Sequence, residues 1–273
     1  MRISVIFSTY EQPKWLEKVL WGFETQSFRD FEVLIADDGS GPATQEVIDR
    51  VRREVTYSMT HVSQPHEGFG KCRILNKAIA RASGDYCFFT DGDCIPRADL
   101  LAVHAEHAKP GHFISGGYLK LPMVTSERIT TQDILAGRAT DYAWLRANGT
   151  PWSRRLARFR WGGRTAAALD AITPTGATFN GHNASVWMSD LLKVNGFDER
   201  LEWGGLDREI GERLENAGVT GRQFRHRALV VHLDHPRGYK NAAGIAANRA
   251  IRDEVAAQKL TRAARGVDQY LPR

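Results

Sequence analysis

An alternation of short apolar runs with amphipathic stretches fills the first hundred residues and limits the fold more than any other feature. Residues 3–8, 31–36, 57–62 and 86–90 are compact runs that read as buried strands. Between them lie helical patterns. One opens at Pro13 and carries Trp15, Val19, Leu20 and Phe23 on one face. A second runs through Val47, Ile48 and Val51, and a third covers residues 74–82. Strands alternating with helices predict a mainly parallel α/β sheet covered on both faces, with ligands beyond the carboxyl ends of the strands. Polar clusters stand at those ends: Ser8-Thr9-Tyr10, Asp37-Asp38-Gly39-Ser40 and Asp91-Gly92-Asp93.

Composition enters through charge. The chain has 273 residues and a net charge of +5. Seven arginines against one acid, Asp141, give residues 138–164 a charge of +6, so the other 246 residues sum to −1. Trp144, Trp152, Phe159 and Trp161 are interleaved with those arginines. This segment is open to three readings: a solvated loop, a surface resting on anionic lipid, or a site for an anionic acceptor. Nucleic acid is not expected, because no recognition motif accompanies the patch. Residues 126–170 read either as amphipathic helices or as a mobile excursion. Cys72, Cys87 and Cys94 lack metal-ligand spacing and read as reduced, buried thiols. The first residues already form a strand pattern and no long apolar run occurs. The expected location is therefore cytoplasmic, with peripheral contact at the inner face of the cell membrane.

Asp91 and Asp93 put two carboxylates at the end of an apolar strand, with Gly92 allowing close approach to the backbone. Such oxygen ligands suit Mg²⁺ or Mn²⁺ and a nucleoside diphosphate, although Asp-Gly is also ordinary turn chemistry. Asp37-Asp38 reads as a capping turn or as acids contacting a nucleoside. Asp207 precedes a helical pattern of Ile210, Leu214 and Ala217, where a carboxylate is also favoured simply as a cap. His232 follows an apolar strand, residues 228–231, and reads as a metal ligand or a core histidine.

In this order the segments resemble family 2 glycosyltransferases with a GT-A fold. Ser8-Thr9-Tyr10, Ala36 to Ser40, Gly84-Asp85-Tyr86 and Phe89 to Pro96 match the first half of that pattern. Phe179 to Trp187, Lys193 to Glu199, Trp203-Gly204-Gly205-Leu206-Asp207 and Val231 to Pro236 are similar to its galactosyltransferase-like C-terminal part, of bacterial surface-polysaccharide type. The resemblance implies an inverting, metal-dependent hexosyltransferase using a nucleotide-diphosphate sugar, with UDP-sugar as the expected donor class, and a glycan or lipid-linked glycan acceptor. It implies Thr9, Asp38, Arg73 and Asp91 around the nucleotide, Asp93 and His232 on Mn²⁺ or Mg²⁺, Asp207 as catalytic base, and Trp203 and Asn183 on the acceptor side. His235 and Asp234 are alternative metal ligands. Three departures stand out: Leu206 where the family has Glu, Leu75 where it has Arg, and Asp234 where it has Trp. Two other functions share parts of the pattern, a nucleotidyltransferase and a degenerate sugar-nucleotide-binding scaffold.

The expected organisation is one GT-A domain over residues 1–237, followed by a helical extension over 238–273. Within the domain, residues 1–100 form the nucleotide-sugar half and 110–237 the acceptor half. The tail reads as helix from Asn241 to Tyr270, packing on the domain or on a second copy in a homodimer.

Overall fold

The structure, a computed structural model, describes residues 1–236 and 242–272. The expected boundary between residues 237 and 238, and Asn241 as the start of the tail helix, lie outside the described residues. Among the described residues one sheet contains β1 (Ile3–Thr9), β2 (Phe31–Asp37), β3 (Ser58–Ser63), β4 (Tyr86–Asp91), β5 (Cys94–Pro96), β6 (His112–Lys120), β7 (Asn183–Trp187) and β8 (Thr220–His232). Their order is β3-β2-β1-β4-β7-β6-β8-β5. β1 pairs in parallel with β2 and β4, and β2 with β3. β7 runs antiparallel to both β4 and β6, while β6 and β8 are parallel. The fold is the mixed, mostly parallel α/β sheet that the alternation predicts.

Successive side chains of a strand point to opposite faces, and the central strands are apolar on both. Val5, Phe7, Val33, Ile35 and Phe88 therefore join a first core with Leu16, Val19, Leu20 and Phe23 of the helix Pro13–Glu24. Ile6, Leu34, Ala36, Cys87 and Phe89 join a second core with Ile74, Leu75 and Ala78 of the helix Lys71–Ile79. Each fully buried Val, Leu, Ile or Phe among them contributes about 1.5–3 kcal/mol. That third helix starts and stops earlier than the expected 74–82. Its chain must turn at Gly84, whose backbone is pressed against β1: a Cβ there would lie 2.7 Å from Ser4 N and 2.8 Å from Arg2 O.

Between β6 and β7 the chain forms short helices, among them Met123–Arg128, Thr131–Leu135, Tyr142–Ala147, Arg154–Ala157 and Gly163–Ile172. Local caps set them. Thr130 and Asp133 form a capping box, Asp141 caps Trp144 N, and Ser153 caps Leu156 N. Ile129, Ile134, Leu145 and Leu156 anchor this segment in the first core. It is thus a helical insertion rather than an excursion.

The tail helix runs Ala242–Gln258 and does not extend to Tyr270. Lys259 adopts φ +53°, and the chain then returns along the second core. Val267 is buried there, and Tyr270 donates its hydroxyl to Glu199 Oε2 at 3.1 Å. Ile251 packs on the same core and Val255 is buried, whereas Ile245 on the same helix is exposed. Among the described residues no helix is long and apolar enough to cross a membrane. All three cysteines are free and buried.

Candidate active site

Parallel register brings the polar strand ends together: Thr9 stands beside Asp37, and Ser8 beside Asp91. Asp38, one residue past β2, is buried and fully engaged. Its Oδ1 accepts from Gln64 Nε2 at 2.6 Å and its Oδ2 from the Gly70 backbone N–H at 2.8 Å. No side chain fits at Gly70, where a Cβ would strike Asp38 and Gln64. Asp38 therefore fixes where the next helix begins, and with it the first helical residue, Lys71. Thr9 Oγ1 lies against Gly92 and is buried without a hydrogen-bond partner.

Lys71 Nζ donates to Asp91 Oδ1 at 2.8 Å. Burial alone would raise the Asp91 carboxyl, but the Lys71 charge and hydrogen bond outweigh it, helped by His182 and His232, and hold it down at about 2. Lys71 is shifted upward, with Asp91, Asp207 and Asp93 overcoming its burial.

β8 ends at His232, paired with Cys94, so the closing histidines face Asp93. His232 Nε2 lies 3.7 Å from Asp93 Oδ1, and His235 Nε2 lies 3.1 Å from Asp93 Oδ2. Each ring turns its Nδ1 to a carbonyl, Leu233 O at 2.8 Å and Pro236 O at 2.9 Å. A carbonyl only accepts, so each Nδ1 carries the proton. In the neutral ring Nε2 then presents a lone pair to the Asp93 carboxylate. Lone pairs facing a carboxylate suit a cation between them, and a backbone carbonyl on the far nitrogen is how ligating imidazoles are oriented. Ligand atoms of Asp91, Asp93, Cys94 and His232 all lie within 4.8 Å of one another. Burial pushes the Cys94 thiol well up, with Asp93 and Asp91 adding to the effect, so it stays protonated and is the poorest donor of the group. Asp234 is occupied by Lys120 at 2.8 Å.

Asp207 lies in the first turn of the helix Leu206–Asn216. Its Oδ1 is buried with no hydrogen-bond partner. Any side chain at Gly181 would collide with this carboxylate. Burial pushes the Asp207 carboxyl up, Lys71 pulls it back, and Asp91 raises it further. Trp203, half-buried, stands on the turn into this helix, where Gly204 and Gly205 take φ +101° and +90°. Asn248 of the tail helix holds the turn. Its Nδ2 donates to Glu202 O and Gly204 O, and its Oδ1 accepts from Glu202 N.

The structure thus brings together Thr9, Asp38, Asp91, Asp93, His232 and Asp207. Two other expected residues are engaged by protein groups. Arg73 is ion-paired with Glu67 at 3.2 Å. Asn183 is buried, donating to Gly117 O and Ala228 O and accepting from His104 Nε2, so its amide presents nothing to a ligand. Leu75 and Leu206 are both buried in the second core, which explains apolar residues at those positions.

Lys71 and His182 are site residues whose roles sequence reasoning did not assign. A lysine in a helix's first turn opposes the dipole, and that was the available signal. His182 Nε2 is buried without a partner, and burial holds the ring down at about 4.

Acids, a lysine and a cation donor set gather at the carboxyl edge of an open α/β sheet, where such sheets bind their ligands. The chain belongs to glycosyl transferase family 2, whose model matches residues 4–168. The model described as the N-terminal domain of galactosyltransferase matches residues 166–236. Chondroitin synthase of Escherichia coli is 26% identical over 94% of this chain, which spans 38% of that protein's length. The structure of Staphylococcus aureus TarS 1–349 in complex with UDP-GlcNAc superposes with a TM-score of 0.63 at 15% identity, covering 99% of this chain and 69% of that one. The mannosyltransferase PcManGT from Pyrobaculum calidifontis, in complex with GDP-Man and Mn²⁺, has a TM-score of 0.58 at 17% identity, covering 94% and 75%. These likenesses show the GT-A fold.

Proposed function

We propose that the protein is an inverting glycosyltransferase that moves a sugar from a UDP-sugar to a hydroxyl of a glycan or lipid-linked glycan in bacterial surface-polysaccharide synthesis. The observation that carries this reading is the buried, unpartnered Oδ1 of Asp207, electrostatically coupled to Lys71 and Asp91. The chain's superposition on structures holding UDP-GlcNAc and GDP-Man with Mn²⁺ supports a nucleoside-diphosphate-sugar donor, and the UDP-GlcNAc complex favours the UDP class.

In this reading Thr9 and Asp38 flank the nucleoside and Asp91 receives the ribose. Asp93 and His232, with His235 beside them, hold Mn²⁺ or Mg²⁺. Bound there, the cation stabilises the negative charge that develops on the departing diphosphate. Lys71 adds a positive charge on the same side. An acceptor hydroxyl becomes acidic as its oxygen bonds to the anomeric carbon, and Asp207 takes that proton. A carboxyl raised by burial is a better proton acceptor than a solvated one. A single base on the acceptor side suits direct displacement and inversion. Trp203 offers a flat apolar face for a sugar ring.

Asp207→Asn tests the assignment. Turnover should fall by about 10²–10⁴-fold while Mn²⁺-dependent UDP binding is kept. Surviving turnover would remove Asp207 from the role of base.

A further inference from the structure

The arginine-rich insertion is not used by the transfer chemistry, yet it reaches the site. Arg155 stacks its guanidinium 4.7 Å from the centre of the Tyr118 ring and donates to the Tyr118 hydroxyl at 3.2 Å. The Tyr118 ring meets His182 edge-on at 4.4 Å. The carbonyl of His182 accepts from Thr90 Oγ1 at 2.9 Å, one residue before Asp91. Two ring contacts therefore lead from Arg155 to the end of β4.

Other cations converge on the same place. Pairing of β6 with β8 jumps from Gly116–Phe224 to Gly117–Leu229, so residues 225–228 bulge out of the sheet. Arg225, on this bulge, keeps its Nε buried with no hydrogen-bond partner. Arg158 is half-buried, and burial together with the charges of Arg225 and Arg155 lowers its pKa. The carboxylate that acts on Arg158, Asp170, is already committed. Its Oδ1 accepts from the His226 backbone N–H at 2.8 Å and its Oδ2 from Arg227 Nε at 2.9 Å. Among the described residues no ion pair engages Arg155, Arg158 or Arg225. Like charges gathered without a counterion are costly, and an incoming anion relieves that cost.

We infer that Arg155, Arg158 and Arg225 form a subsite for an anionic group, phosphate or carboxylate, carried by the acceptor glycan near the hydroxyl that receives the sugar. The inference rests on the proposed transfer function and names the acceptor's chemical class.

The test titrates the full chain, with UDP and Mn²⁺ present, against four probes in affinity electrophoresis or sedimentation. These are polygalacturonate for carboxylate, glycerol-phosphate teichoic acid for phosphate, dextran as the neutral control, and phosphatidylglycerol vesicles. At least one anionic polymer should bind and dextran should not. Arg155→Gln combined with Arg158→Gln should weaken that binding about tenfold or more, and Arg155→Gln alone, at an exposed position, should show part of the loss. Arg164→Gln, an exposed arginine of the same segment, should change nothing. Salt near about 0.5 M should weaken binding to the native protein. Equal binding of dextran and the anionic polymers, unaltered binding in the variants, or binding to vesicles alone would overturn the subsite. UDP binding without polymer binding refutes the subsite. Polymer binding without Mn²⁺-dependent UDP binding refutes the transfer reading instead.

Discussion

His104 shows how a polar residue can shape the site without touching a ligand. Fully buried, it donates from Nε2 to Asn183 Oδ1 at 3.1 Å, because the Asn183 amide nitrogen is spent on two carbonyls. Its Nδ1 lies 2.6 Å from Ser185 Oγ, which in turn meets the Tyr86 hydroxyl at 2.8 Å. Burial pushes His104 down to about 3 from an ordinary 6.5, so the folded ring is neutral. The unfolded chain takes up this proton first as pH falls through 6.5, so stability is lost between there and pH 3. Between pH 7 and pH 5 this one group accounts for about 2 kcal/mol. Urea titrations should show that loss shrinking by about this amount in His104→Gln, and an unchanged acid sensitivity would contradict the account. The same network explains why the place of Asn183 was not legible in the sequence. A polar residue at a strand end reads as a ligand contact whether it faces the site or, as here, closes a buried bond. Asp91, Asp93 and His232 were legible because strand ends in this fold have one edge to point at. The pairing of Arg73 with Glu67 was not, because nothing in their spacing announces it.

At the scale of elements, the strands could be read because buried parallel strands need unbroken apolar runs. The insertion could not. Its helices are four to ten residues long, too short for periodicity to speak, and they depend on caps such as Ser153 and Asp141 and on single anchors such as Leu145 and Leu156. The tail helix was visible, but its end was not, because Lys259 leaves the helix without a glycine or proline to mark it. Its function in the fold emerges only from Asn248, which ties the helix to the turn bearing Trp203. Arg252 of the same helix pairs with Glu212 of the Asp207 helix. Asn248→Ala leaves Glu202 and Gly204 groups unpaired and should cost about 1–3 kcal/mol. It should also raise the KM for acceptor while leaving UDP affinity in place. Native-like stability in a thermal melt would show that the turn holds itself.

For the whole molecule, the net charge of +5 is the charge of one insertion laid on a nearly neutral sheet domain. The chain divides its tasks accordingly. In the proposed reading the parallel strand ends gather the nucleotide side, β8 returns the closing histidines to Asp93, and the tail and insertion frame the acceptor side. The central claim is that a nucleoside diphosphate and a divalent cation bind together at Asp91, Asp93 and His232. Ligand at about a hundred times its Kd adds about 2.7 kcal/mol to the folded state, which for a chain of this size shifts Tm by about 5–10 °C. The most direct measurement is the thermal shift of the native protein and of Asp93→Ala with UDP in Mn²⁺ and in EDTA. The account predicts a shift of that size for the native protein in Mn²⁺, most of it lost in EDTA and in Asp93→Ala. An equal shift in all three conditions, or none with Mn²⁺ and UDP, would contradict it.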